Sequence, residues 1–154
     1  MRADNKTYEK SNKITTVALN KFSSKDYNAF LNADESIADR QRRAQTLATY
    51  LCGKFKLPNV VVKVVNRPQP HSTNLKGCLS SKLLGTYAVN YEVITLYNLT
   101  AVKQQVVSIK TMLDTLLHEF MHHYDHKYLK FEHSNHTAGF YKRINDLKQK
   151  LTGK

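Results

Sequence analysis

A chain of 154 residues with 41% hydrophobic and 23% charged content is enough for one compact domain and too short for two. With 24 Lys and Arg against 12 Asp and Glu, the formal charge of +12 favours a polyanionic neighbour, most often nucleic acid, over an acidic or neutral one. Cys52 and Cys78 make neither a disulfide framework nor a C-x-x-C zinc pair and read as reduced thiols. The polar start MRADNKTYEKSNKITT lacks the apolar core of a secretion signal, and no stretch approaches 18 apolar residues, so the expectation is a cytoplasmic or nucleoid-associated protein with no membrane contact.

Residues 1–32 carry weak periodicity and several turn formers; they read as an N-terminal arm or loosely packed segment, with one short helix over Lys25 to Leu31, ahead of a domain at 33–154. From Asp34, Ile37, Ala44, Leu47, Ala48 and Leu51 recur at helical spacing, with Gly53 and Pro58 as the stop. Val60 to Val65 is a β-branched run bounded by Pro58 and Pro68, hence a strand. A polar loop through His71 and Gly77 follows, and then LLGTYAV and EVITLY read as a hairpin turning at Asn90-Tyr91.

From about Thr100 to His126 the apolar positions Val106, Ile109, Leu113, Leu116, Phe120 and Tyr124 trace one face of a long helix. Phe140, Ile144, Leu147 and Leu151 repeat the pattern in a closing helix with Thr137 as N-cap. Helix, strand, hairpin, long helix and short helix make an α+β order.

Charge is unevenly spread. Asn59 to Asn90 holds Lys63, Arg67, Lys76 and Lys82 with no acid, and Lys127 to Lys154 holds seven basic residues against Glu132 and Asp146. Two readings stand: a nucleic-acid contact surface, or solvated lysines that keep a small protein soluble.

The chemistry lies in the long helix, at His118-Glu119-Phe120-Met121-His122. The i, i+4 spacing puts both imidazoles on one side, where their ring nitrogens can meet one ion, and Glu119 can reach a water beside it. A random chain of this composition holds roughly 0.01 such motifs. A catalytic zinc site takes three protein ligands and keeps a fourth position open, and a neighbouring carboxylate then serves as general base.

His126, Glu132, His133, His136 and Asp146 follow as candidates for the third ligand. Three ligands on one straight helix would span about 12 Å, too far for bonds of about 2.1 Å to one ion, which sets His126 aside as a surface or outer residue. The metzincin continuation needs Gly at 125 and His at 128, where this chain has Asp125 and Tyr128. His136 is preferred, 14 residues after His122 across a loop long enough to reverse direction, with His123 and His133 kept as alternative ligands or supports. Tyr87, Tyr97, Tyr124 and Tyr141 are open candidates for orienting substrate or stabilising an oxyanion, against a plain packing role.

His118-Glu119-x-x-His122 followed by His136-x-x-x-Phe140 resembles the SprT-like metalloproteases, as does the Leu84-Gly85-Thr86-Tyr87 and Ile94-Thr95-Leu96-Tyr97-Asn98 hairpin ahead of the helix. The resemblance covers about Val60 to Leu151. It implies a zincin-like fold with a small mixed sheet, His118, His122 and His136 as zinc ligands, Glu119 as general base, and a substrate strand along the sheet edge. It further implies an endopeptidase of little sequence preference acting on protein substrates, with DNA-associated proteins among them. No cysteine follows Cys78, so the C-terminal zinc ribbon of bacterial relatives has no counterpart in this sequence. The competing reading is a basic nucleic-acid-binding protein whose zinc site is structural or vestigial; such a site has no use for a Glu beside its first His and usually closes its fourth position.

Overall fold

The computed structural model describes residues 2–73, 75 and 79–153. Lys76, Gly77 and Cys78, named above in the basic stretch, the loop and the thiol count, lie outside the described residues. The described chain is α+β: α1 (Arg2–Lys13), α2 (Lys25–Leu31), α3 (Ile37–Phe55), β1 (Val61–Pro68), β2 (His71–Thr73), β3 (Leu79–Lys82), β4 (Gly85–Ala88), β5 (Val93–Leu99), α4 (Ile109–Lys127) and α5 (Ala138–Thr152). β1 pairs parallel with β5, and β4 pairs antiparallel with β5, giving a mixed sheet in the order β1-β5-β4. None of the described helices is long and apolar enough to cross a membrane.

Helix starts follow local chemistry. Ser36, Ser108 and Thr137 each take extended backbone and accept from the N–H three residues on, at Asp39, Thr111 and Phe140, which satisfies a donor the helix leaves unpaired. The stops and one start differ from the sequence reading. α3 runs through Gly53 to Phe55 and is capped by Lys56, in left-handed backbone with φ 57°. The added turn buries Phe55 against Phe120 and Tyr124, and that burial outweighs the helix-breaking tendency of Gly53. α4 begins at Ile109, not near Thr100, because the intervening chain folds back on β5: Val107 N–H donates to Asn98 O at 2.8 Å, and Val106 bridges Leu99. The polar loop after Pro70 contains a short antiparallel ribbon, β2 with β3.

The sheet packs its Val62, Val64, Ile94 and Leu96 face onto α3 and α4, and these residues share one core with Leu47, Leu51, Leu113, Leu116 and Phe120. Residues 14–32 are not loosely packed: Val17, Tyr27 and Phe30 enter that core at 5% exposure or less. The end of α1 also docks tightly, for a Cβ on Gly139 would collide with Ser11 O and lie 2.7 Å from Asn12 O. Backbone rather than apolar side chains makes this contact, so hydropathy patterning carried no sign of it.

The two sheet edges are treated differently. Along β1, the amides of Gln41 and Gln45 on α3 pair with Val60 O, Val62 N and O, and Val64 N at 2.6–2.9 Å, which occupies that edge with side chains. β4, at the opposite edge, borders a cleft above α4.

Candidate metal centre

α4 carries His118 and His122 one turn apart, and the residue just before the Thr137 cap of α5 is His136. The reversal between the helices brings His136 Nε2 to 3.3 Å from His118 Nε2 and 3.1 Å from His122 Nε2. Nitrogens bonded at about 2.05 Å in a tetrahedral array stand about 3.3 Å apart, so the spacing fits one shared ion. Among the described residues these three form the group of His, Cys, Asp and Glu side chains close enough to hold a metal. Phe140, fully buried, lies beneath all three rings, with centroids 4.7 Å from His122, 5.1 Å from His118 and 5.3 Å from His136. The H-x-x-x-F spacing thus brings Phe140, in the first turn of α5, into ring contact with His136 just ahead of that helix.

Protonation suits ligation. Burial pushes the His118 imidazole down, helped by the neighbouring His136, and the same burial with the surrounding histidines pushes His122 down to about 3. Both are neutral at physiological pH, with a lone pair free. Tautomer follows from the partners: Ser134 Oγ spends its hydrogen on Asp125 Oδ2 at 2.8 Å, so His122 Nδ1, 2.7 Å from that oxygen, is the N–H donor and Nε2 is the free nitrogen.

Glu119 stands beside His118, with one carboxylate oxygen 3.9 Å from His118 Nε2. Burial raises its carboxyl to about 7; a cation among the imidazoles would draw it back down. Histidines and Glu119 line the floor of a cleft of about 800 Å³, whose wall is the Lys82 to Tyr87 edge. Gly85 is essential to that wall: a Cβ there would stand 2.7 Å from Thr115 Cγ2 on α4 and 2.8 Å from Thr95 O.

The other candidates take different places. His126 Nδ1 donates to Phe131 O at 2.9 Å and its ring stacks on Tyr87, so it lines the cleft outside the metal group. His123 is fully buried, its Nε2 donating to Pro58 O at 2.8 Å and its Nδ1 accepting from the Tyr87 hydroxyl at 2.7 Å. That bond turns the Tyr87 hydroxyl to His123, and the Tyr124 hydroxyl accepts from Ala18 N–H. Tyr141 is half exposed, with its ring 6.0 Å from His136 and 6.1 Å from His118. Glu132 and His133 lie exposed in the connection, and Asp146 pairs with Lys150 at 2.7 Å.

Sequence reasoning missed Ser134, Asp125 and Arg143, the groups behind His122. A signal existed: Arg143 falls between Phe140 and Leu147 on the apolar stripe of α5, where an unpaired charge would be untenable. The basic C-terminal segment is also less available than its count suggests, since Lys127, Arg143, Lys148 and Lys150 pair with Glu92, Asp125, Asp114 and Asp146. Lys63, Arg67 and Lys82 are exposed. No known family model matches this chain, and no curated protein or solved structure is significantly similar to it.

Proposed function

We propose that this protein is a zinc-dependent endopeptidase of zincin-like architecture, resembling the SprT-like metalloproteases, with His118, His122 and His136 as the zinc ligands and Glu119 as the general base. The observation that carries this reading is the convergence of three imidazole Nε2 atoms, His136 lying 3.3 Å from His118 and 3.1 Å from His122, on the floor of a cleft beside a buried carboxylate. When bound, zinc supplies Lewis acidity that polarises a carbonyl and acidifies water.

The chain's own residues do the rest. Glu119 takes a proton from the attacking water on its carboxylate and returns it to the leaving amine, a role open to a carboxylate that lines the cleft beside His118. β4 offers its outer edge to an extended peptide, which would pair with it through main-chain hydrogen bonds and lie across the ligands. Main-chain pairing reads shape more than sequence, in keeping with broad cleavage. Exposed Leu83, Leu84 and Val89 on this edge suit apolar side chains of an unfolded substrate.

The open cleft above the ligands favours this reading over a structural zinc site, which closes its fourth position. DNA association is supported by the net charge of +12 and by exposed Lys63, Arg67 and Lys82, and makes DNA-bound proteins candidate substrates. The deciding experiment combines metal analysis of the purified protein with casein digestion, with and without DNA. One zinc per chain and cleavage abolished by a chelator are expected; a metal-loaded protein that cleaves nothing would return the site to a structural role.

A further inference from the structure

Behind His122 runs a continuous line of hydrogen bonds that the proposed hydrolysis does not use. His122 Nδ1 donates to Ser134 Oγ at 2.7 Å, Ser134 donates to Asp125 Oδ2 at 2.8 Å, and Arg143 Nη2 holds both Asp125 oxygens at 3.0 and 2.9 Å. Arg143 Nη1 then reaches Ser11 O at 2.7 Å and Ile14 O at 2.6 Å, and Nη2 also donates to Ser11 Oγ at 3.1 Å. Asp125 and Arg143 are both fully buried. An ion pair in that setting costs more in desolvation than a well-packed apolar pair, so stability alone is a poor reason for it.

Its placement supplies another reason. Asp125 lies three residues after His122 on α4, and Ser134 belongs to the connection that must deliver His136. The same serine therefore ties the helix that carries two ligands to the loop that carries the third. Burial raises the Asp125 carboxyl while the Arg143 charge pulls against it, and an ionised carboxylate facing a guanidinium that cannot lose its proton leaves neither charge alone.

We propose that Ser134 and Asp125 are positioning residues which lock His122 in the Nδ1–H tautomer with Nε2 turned to the metal position, and that Arg143 anchors this lock on the backbone of Ser11 and Ile14. The N-terminal segment is thereby part of the metal centre, although it holds no ligand. Outer hydrogen bonds of this kind fix the orientation and raise the basicity of a ligating imidazole. The inference rests on the zinc reading above for its consequence, but not for its geometry.

Ser134 is partly exposed in a loop, so Ser134→Ala should fold. Nitrogen-15 NMR of the imidazoles in the metal-free protein is expected to show His122 protonated on Nδ1 in the wild type and a mixture of tautomers in Ser134→Ala. Zinc affinity, measured by chelator competition, should fall about tenfold to a hundredfold in that variant. Ser134→Thr keeps the hydroxyl and should restore both readouts. An unchanged tautomer and unchanged affinity in Ser134→Ala would overturn the lock, as would a threonine variant no better than alanine. The tautomer is read without metal, so the two readings fail separately: a wild type that takes up no zinc sinks the metal centre, whereas an indifferent Ser134→Ala sinks the lock.

Discussion

At the scale of single residues, the proposed zinc site gives the three imidazoles and Glu119 separable jobs. His118, His122 and His136 are the proposed ligands, and burial lowers the pKa of the first two, so each His→Ala change should strip zinc from the protein as measured by metal analysis. His126→Ala should leave zinc content intact, because its Nδ1 is committed to Phe131 O and it stands outside the ligand group. Glu119→Gln preserves the shape and removes the proton acceptor. Zinc content should match the wild type while kcat/KM falls by at least about 100-fold, the usual contribution of a general base; turnover near the wild-type rate would remove Glu119 from that role. Cys52, fully buried on α3 with its thiol pushed up to about 11 by burial, should resist alkylation in the folded Cys78→Ser protein and react only on unfolding.

At the scale of elements, β4 and α4 form the two sides of the cleft, and they approach closely only because Gly85 has no side chain. Gly85→Ala sets a methyl against Thr115 Cγ2 and the Thr95 carbonyl, and the backbone oxygen cannot yield. The strand must move off the helix, with a cost of about 1–3 kcal/mol in chemical unfolding and a larger loss in casein cleavage than in zinc content. The start of α3 gives a test of pH dependence. Hydrogen bonds from Arg43, then from the Asp34 backbone, hold the Asp39 carboxyl at about 2, below its usual 3.8. A folded-state value below the unfolded one means stabilisation that is fully present above the unfolded value and lost as pH falls through about 2. The difference in Tm between wild type and Asp39→Asn should therefore be constant near neutrality and vanish in strong acid.

For the whole molecule, zinc should stabilise by joining α4 to the segment before α5. A ligand that binds only the folded state at a thousandfold excess over its Kd contributes about 4 kcal/mol, worth roughly 10 °C in Tm for a chain of this size. Adding a chelator should lower Tm by that order in the wild type and by nothing in His118→Ala. The molecule's charge has a separate readout. If the exposed Lys63, Arg67 and Lys82 meet phosphates, DNA affinity should fall steeply with salt, and reversing these charges together with Lys76 should remove it while sparing zinc content. Binding that ignores salt, or none at low salt, would leave the excess charge as a solubility feature.

Local order carries much of what was legible beforehand. The i, i+4 pair His118 and His122 shares a helix face whatever the rest of the chain does, because helical periodicity is set by backbone hydrogen bonding within a few residues. The same locality made α2, the β4–β5 hairpin and the Thr137 cap readable, and it made the α+β class follow from element order. His136 was singled out by its distance from His122 across a loop long enough to reverse direction, but its arrival within 3.3 Å of both partner nitrogens depends on how α5 packs over α4. Long-range contacts decided the remainder: Phe55 extended α3 past Gly53, β5 delayed the start of α4, and Gly139 let the backbone of α1 dock without an apolar side chain. The Ser11–Arg143–Asp125–Ser134 line belongs to this second kind, for it joins residues up to 132 positions apart. A sequence records which side chains can donate and accept; only the packed chain determines which of them are buried together and must therefore pair.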